Sequence, residues 1–91
     1  MKLVYWRRGD YTYCLNLDLV QAIEVGPGIQ NEHRILFRTL TNGYSYPLPR
    51  PLNGDQIKIL LTLLQSSFAL NLDDAIGALL KEGSENEQRE E

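Results

Sequence analysis

Residues 52–68 read LNGDQIKILLTLLQSSF, and this stretch is the best-defined helix in the sequence. Asn53 is a preferred N-cap, and Gln56, three residues later, completes the spacing of a capping box. Ile59 and Leu63 lie off the main apolar stripe, so the apolar arc is wider than one contact surface requires. We therefore expect this helix to be buried on two sides, against a sheet and against either a second helix or another subunit. The main stripe, at helical spacing, is Ile57, Leu60, Leu61, Leu64 and Phe68.

The size and composition of the chain indicate one small globular domain. It has 91 residues, of which 43% are hydrophobic, and one cysteine, Cys14, which excludes an intramolecular disulfide. Residues 1–51 carry six basic and four acidic side chains (+2), whereas residues 52–91 carry three and eight (−5). No apolar segment resembles a signal peptide or approaches the length that spans a bilayer. We expect a cytoplasmic protein without a membrane partner.

The first two strands are predicted to form a hairpin. Residues 2–8 and 11–17 alternate and are rich in β-formers, and Gly9 with Asp10 suits a type II′ turn between them. This turn places Trp6 opposite Tyr13. The side chains predicted on the core face of the second strand are Tyr11, Tyr13, Leu15 and Leu17.

A break in the alternation follows this hairpin. Residues 16–18 favour a bend or bulge, after which residues 20–25 resume as a strand. A single helical turn at residues 18–21 is the alternative. Residues 26–32, which begin Gly-Pro-Gly, are predicted to form a loop.

A second hairpin is predicted around Asn42 and Gly43, a dipeptide typical of type I′ turns. It pairs residues 34–40 with the following segment and places Phe37 opposite Leu48. Three alternating prolines at residues 47–51 then indicate an edge strand or an extended connector. The predicted core face is Ile35, Phe37, Tyr46 and Leu48, and the other face carries Arg34, Leu36, Arg38 and Leu40.

A second helix is predicted from the N-cap Asn71 to Lys81 and Gly83. Residues 84–91, SENEQREE, contain no apolar side chain and are predicted to be a disordered acidic tail. The fold class predicted is α+β, with a four- or five-stranded antiparallel meander sheet followed by two C-terminal helices. The first helix is expected to pack on one sheet face, and residues 1–83 form a single domain.

The run NLDLV–IE, then ILF, then NG-SY-L, then a helix, is similar to small flagellar-locus proteins of the FlbD type. The resemblance spans residues 11–64 and lies in an Asn-x-Asp bend, an Asn-Gly hairpin and a closing helix. In order of elements, the chain also resembles coactivator-like single-strand-binding folds. These resemblances imply a sheet closed by a helix and assign no role to any residue.

The sequence contains no recognisable catalytic or metal-binding constellation. His33 and Cys14 are the only residues of their types, and a metal site needs several such ligands. Asp73 and Asp74 are adjacent and therefore face different sides of a helix. We expect a non-catalytic protein with no cofactor and no metal.

Surplus apolar surface points to a protein contact instead. A small domain commonly buries such surface in a dimer or against a partner. We expect a protein-interaction or assembly module, as a homodimer and/or with an unidentified protein partner. The candidate contact residues are Ile59, Leu63, Leu36 and Leu40.

Binding of single-stranded nucleic acid is the alternative function. Aromatic side chains could stack on bases while arginines follow the phosphates. The acidic second half of the chain disfavours this alternative. Its candidate residues are Arg7, Arg8, Arg34, Arg38, Tyr5 and Tyr44.

Overall fold

The structure is a computed structural model that describes residues 2–28, 30 and 32–90, with the backbone alone for residues 82–90. Within these residues, six strands and two helices follow one another along the chain. They are β1 (Leu3–Arg8), β2 (Tyr11–Asn16), β3 (Ala22–Pro27), β4 (His33–Arg38), β5 (Gly43–Pro47), α1 (Gly54–Ser66), β6 (Ala69–Asn71) and α2 (Leu72–Glu90).

The α+β class is confirmed, but the single meander sheet is wrong. The strands form two three-stranded sheets, in the orders β2-β1-β6 and β3-β4-β5. The chain leaves the first sheet at a 3₁₀ turn, Leu17–Leu19, where the Asn16 side chain accepts a hydrogen bond from the Asp18 N–H at 2.9 Å. The rival prediction of a helical turn was therefore close to correct. β6 was missed because it has three residues and lies between two helices.

One hydrophobic core joins both sheets and both helices. Val4, Phe37, Leu60 and Leu72 are fully buried members of this core, and each comes from a different sheet or helix. The prediction that α1 lies across one sheet face stays a prediction. The other buried core residues are Trp6, Leu15, Ile35, Tyr46, Leu48, Leu64, Ile76 and Leu79.

The first hairpin forms as predicted. Trp6 lies opposite Tyr13, and Gly9 has a φ of 61°, as the first central residue of a type II′ turn requires. Leu15 is buried, but Tyr11 is 75% and Tyr13 39% exposed, so the assignment of these two tyrosines to the core is wrong. Tyr11 lies next to the turn, where no other element covers this face.

The second hairpin has a different register from the prediction. Phe37 lies opposite Tyr44 rather than Leu48, and residues 39–42 form a four-residue loop. The Thr39 N–H donates to the Asn42 carbonyl at 2.8 Å, which closes this loop. Gly43 does not have the positive φ of a type I′ turn.

The shift in register is four residues, an even number, so every side chain keeps its predicted face. All four residues predicted for the core face of this hairpin are buried: Ile35, Phe37, Tyr46 and Leu48.

The start of α1 is confirmed in detail. The Asn53 side chain accepts from the Gln56 N–H at 2.8 Å, and the Gln56 side chain accepts from the Asn53 N–H at 2.9 Å. The helix ends at Ser66, before Phe68, which is 81% exposed. Phe68 was wrongly placed on the buried stripe because the chain turns into β6 at this point.

The start of α2 is also close to the prediction. The Asn71 side chain accepts from the Asp74 N–H at 3.3 Å. The disordered tail predicted for residues 84–91 falls where no side chain is described, and it stays a prediction. Among the helices within the described ranges, none is long and apolar enough to cross a membrane.

Candidate protein-contact surface

The outer edge of β2 is an unpaired row of backbone hydrogen-bonding groups. Among the strands of the described residues, β2 is the terminal strand of its sheet and pairs only with β1. The Leu17 N–H donates to the Lys2 carbonyl at 2.8 Å, which fixes the alternation along the ladder. In an antiparallel pair the residues whose groups face the partner alternate with those whose groups face away. The N–H and C=O groups of Thr12 and Cys14 therefore point outward from the sheet.

β2 also lacks the features that usually protect an edge strand. Proteins discourage edge pairing with charged side chains, prolines or very short strands. β3 contains Glu24 and Pro27, β5 contains Pro47, and β6 has three residues. β2 reads YTYCLN, six residues with no charge and no proline, and its first four residues are exposed.

Two clefts lie beside this edge, in the gap between the two sheets. The first has a volume of about 270 Å³ and is lined by Trp6, Arg8, Tyr13, Gly43, Tyr44 and Ser45. The second has a volume of about 500 Å³ and is lined by Leu15, Asp18, Leu19, Gln21, Thr39, Leu40, Thr41 and Tyr44. Because Tyr44 lines both clefts, we treat them as one feature and call it the inter-sheet groove.

Aromatic stacking makes the floor of the inter-sheet groove rigid. The Trp6 ring stacks on Tyr13 at 5.8 Å and on Phe37 at 5.7 Å, between ring centroids. It also meets the Tyr46 ring edge-on at 5.8 Å. Offset stacks and edge contacts are the favoured geometries of aromatic pairs. Tyr13 is therefore packed against the core through Trp6 while it lies at the β2 edge.

The rim of the groove exposes two large aliphatic side chains. Leu19, in the 3₁₀ turn, is 63% exposed, and Leu40, in the loop after β4, is 84% exposed. A single exposed leucine is ordinary, but these two line the same cleft as Tyr44. Together with the bare β2 edge they make an apolar surface of the kind that contacts other proteins.

The two ends of the β2 edge carry opposite charge. The hairpin tip holds Arg7, Arg8 and Asp10, a net charge of +1, all exposed. The other end holds Asp18, which is also exposed. The strand between them is uncharged. The edge therefore has a direction, positive at the hairpin tip and negative at the 3₁₀ turn.

The predicted contact residues lie on two different parts of the fold, since Ile59 and Leu63 are one turn apart on α1 and Leu36 and Leu40 are on β4 and the loop that follows it. Ile59 is exposed and Leu63 half-buried on α1, whereas Leu36 is half-buried on the outer face of β4. Leu40 alone of the four lies on the inter-sheet groove. Leu19 and the β2 edge were missed, although the uncharged run YTYCLN was the signal that could have identified the edge.

The predicted nucleic-acid residues are divided between the two sheets. Tyr5 and Arg7 lie on the face of β1 opposite Trp6, since side chains alternate along a strand. Arg8 and Tyr44 both line the inter-sheet groove.

The remaining two candidates lie on β4. Arg38 forms an ion pair with Glu24 on β3, at 2.5 Å between Nε and Oε2. Arg34 lies close to Gly28, where an added Cβ would be 2.8 Å from the arginine Nε. The six residues therefore do not form a single basic and aromatic face.

A third cleft, of about 410 Å³, separates the 3₁₀ turn from α1. Its charged lining residues are Lys2 and Asp18, and its apolar ones include Leu17, Ile23 and Leu61. Lys2 donates through Nζ to the Gln65 carbonyl. Within the described part of the chain, no three His, Cys, Asp or Glu residues are grouped so that they could hold a metal ion.

Comparison with known proteins identified no relative. No family model, no curated protein and no solved structure matches this chain.

Proposed function

We propose that this protein is a small, non-catalytic protein-interaction or assembly module that acts in the cytoplasm as a homodimer. The observation that carries the proposal is the unprotected edge of β2 beside the inter-sheet groove. Exposed strand edges with apolar neighbours are templates for pairing with another chain. The other edge strands carry a charge, a proline or both, or are short. We therefore expect pairing with another chain to take place at β2.

The apolar residues on the groove support this function energetically. Complete burial of one leucine side chain stabilises a complex by about 1.5–3 kcal/mol. Leu19 and Leu40 are both available for such burial. The exposed Tyr13, already fixed by its stack on Trp6, would lose little conformational entropy on binding.

Sedimentation equilibrium over a wide concentration range tests the proposal. We expect a reversible monomer–dimer equilibrium whose dissociation is promoted by lowering the protein concentration. A chain that stays monomeric at the highest concentration, and binds no apolar dye, would contradict it. A variant with Leu19 and Leu40 both replaced by Ser lacks the exposed apolar side chains of the groove. It should shift the equilibrium towards monomer.

Binding of single-stranded nucleic acid is the second candidate. Its support is the presence of Arg8 among Trp6, Tyr13 and Tyr44 at the groove. A gel shift with a labelled oligonucleotide at low salt discriminates the two functions. We expect no retardation. Retardation that decreases with added salt and is lost in Arg8→Ala would favour this candidate over the assembly module.

A further inference from the structure

We propose that two copies of this chain pair through their β2 edges, antiparallel and about a two-fold axis at Tyr13, which makes one continuous six-stranded sheet. This inference rests on the proposed function and names the surface and register by which the homodimer forms. Each copy already has the three-stranded sheet β2-β1-β6, and the new contact joins the two sheets at their open edges.

The length, charge and composition of the β2 edge indicate what kind of strand can pair with it. β2 is six residues long, uncharged and rich in β-formers, and it is flanked by positive charge at one end and negative charge at the other. A complementary strand must be uncharged and carry the opposite charges at its ends. β2 of a second copy, running antiparallel, meets each of these conditions.

Other edges of a second copy are poorer partners. Pairing β2 with β3 would bring in Glu24 and Pro27, and pairing with β5 would bring in Pro47, which cannot donate to a ladder. β6 has only three residues. Among the strands that the structure describes, β2 is therefore the best partner for β2.

Charge favours this register over the one centred on Cys14. If the two-fold axis lay at Cys14, Asp10 of one copy would lie opposite Asp18 of the other, and like charges directly opposite each other destabilise a sheet. An axis at Tyr13 places Asp10 opposite Asn16 instead. The hairpin tip of each copy, with net charge +1, then lies near Asp18 of the other copy.

The same register satisfies the unpaired backbone groups. Thr12 of one copy lies opposite Cys14 of the other, so their outward N–H and C=O groups can exchange hydrogen bonds on both sides of the axis. The two Tyr13 residues form the central pair, with Cα atoms about 4.5 Å apart as in a pair that makes no hydrogen bonds between the copies. Their rings lie on the groove side of the sheet, where an aromatic pair is favourable.

A pair of charge variants tests this register. Both variants carry Thr12→Glu, and they differ only at residue 14, where Cys14→Glu is made in one and Cys14→Lys in the other. Residues 12 and 14 are exposed and point away from the core, and the new carboxylate at position 12 would lie beside Arg7 on β1, so both variants should fold. Circular dichroism and thermal unfolding verify the fold of each.

In the Tyr13 register, residue 12 of one copy faces residue 14 of the other. T12E/C14E therefore brings two like-charged pairs together, and we expect its dimer dissociation constant to be raised by about tenfold or more. T12E/C14K brings two opposite-charged pairs together and should retain the dissociation constant of the unmodified chain or a lower one. Sedimentation equilibrium at low salt measures both values.

The remaining outcomes separate this inference from the proposed function. A dimer that is as stable in both variants as in the unmodified chain overturns the β2 pairing and leaves the homodimer standing. Dissociation of T12E/C14K as strong as that of T12E/C14E overturns the register, because residue 12 or residue 14 then faces the same residue of the other copy. An unmodified chain that is monomeric contradicts both proposals.

A cross-link provides an independent readout. We expect Tyr13→Cys in a Cys14→Ser background to form a covalent dimer on mild oxidation, because Cα atoms about 4.5 Å apart suit a disulfide. The unmodified chain, in which the two Cys14 residues are offset along the strands, should form it more slowly. The reverse order of the two rates would overturn the Tyr13 register.

Discussion

Tyr46 on β5 donates its phenolic hydrogen bond to Asp73 on α2, at 2.9 Å between the hydroxyl oxygen and Oδ1. The second carboxylate oxygen, Oδ2, accepts from the backbone N–H of Arg7 on β1, also at 2.9 Å. A single carboxylate in the first turn of α2 thus ties the helix to a strand of each sheet. Among the described strands, none of one sheet pairs with a strand of the other, so this link helps to fix how the two sheets are held together.

We expect Asp73→Ala to lower the free energy of unfolding by about 1–3 kcal/mol, since both hydrogen bonds to a charged acceptor are lost. Denaturant unfolding at one fixed protein concentration measures the change, followed by the fluorescence of Trp6, which is buried and is the single tryptophan.

Asp74→Ala is the matched control, because Asp74 is exposed and lies in the same helical turn. It should lose only the interaction with the helix dipole, about 0.3–1 kcal/mol. Equal losses in the two variants would show that the ties to Tyr46 and Arg7 contribute nothing to stability.

The stability of the fold should fall in alkali because of Tyr46. Burial raises the pKa of the Tyr46 hydroxyl well above its usual value, and the hydrogen bond to Asp73 and the negative charge of that carboxylate raise it further. The unfolded state then loses this proton near pH 10, while the folded state retains it. Stability is therefore fully present below about pH 10 and falls by up to about 1.4 kcal/mol per pH unit above it.

Tyr46→Phe should remove this part of the alkaline loss, although it costs stability at neutral pH. Tyr11→Phe, at a tyrosine that is 75% exposed, is the control and should retain it. The measurement is the midpoint of urea unfolding between pH 8 and pH 11. A decline in Tyr46→Phe as steep as in the unmodified chain would contradict the assignment.

The local elements of this fold could be predicted because their signals are local. The capping box of Asn53 and Gln56 and the type II′ turn at Gly9 depend on residues close in sequence, and both form as expected. The core face of the first hairpin was predicted only in part, because Tyr11 and Tyr13 are exposed. The core face of the second hairpin also follows from alternation. That reasoning holds even where the register was wrong, because a shift of four residues preserves the faces.

The arrangement of the sheets could not be predicted in the same way. β3 follows β2 in the sequence but lies in the other sheet. This separation depends on the 3₁₀ turn at Leu17–Leu19 and on core packing between distant elements. The parallel pairing of β1 with β6 joins Leu3 to Ala69 across most of the chain. The inter-sheet groove exists only because there are two sheets, so its residues had no common signal in the sequence.

Neighbouring positions on α1 should separate folding from association. Leu60 is fully buried, whereas Ile59 is 46% exposed. We expect Leu60→Ala to lower the free energy of unfolding by about 2–5 kcal/mol, from lost burial and the cavity that remains. Ile59→Ala should cost under about 1 kcal/mol and leave the dimer dissociation constant unchanged, because Ile59 is not among the residues that line the inter-sheet groove.

Thermal unfolding and sedimentation equilibrium of the two variants give these values. Weaker dimerisation in Ile59→Ala, with the fold intact, would indicate that the contact surface is on α1, as the sequence predicted.

Two equally exposed apolar residues distinguish the groove from the rest of the surface. Leu40 is 84% exposed on the inter-sheet groove, and Phe68 is 81% exposed beside β6, at the opposite edge of the sheet that contains β2. If the groove is covered on association, Leu40→Ser should raise the dimer dissociation constant by up to about tenfold, the effect of losing part of one leucine's burial. Phe68→Ser, which removes a larger apolar side chain, should leave it unchanged.

Sedimentation equilibrium at matched concentrations compares the two, and both variants should unfold at the temperature of the unmodified monomer, since neither side chain is in the core. A larger effect from Phe68→Ser than from Leu40→Ser would mean that association uses the β6 edge rather than the inter-sheet groove.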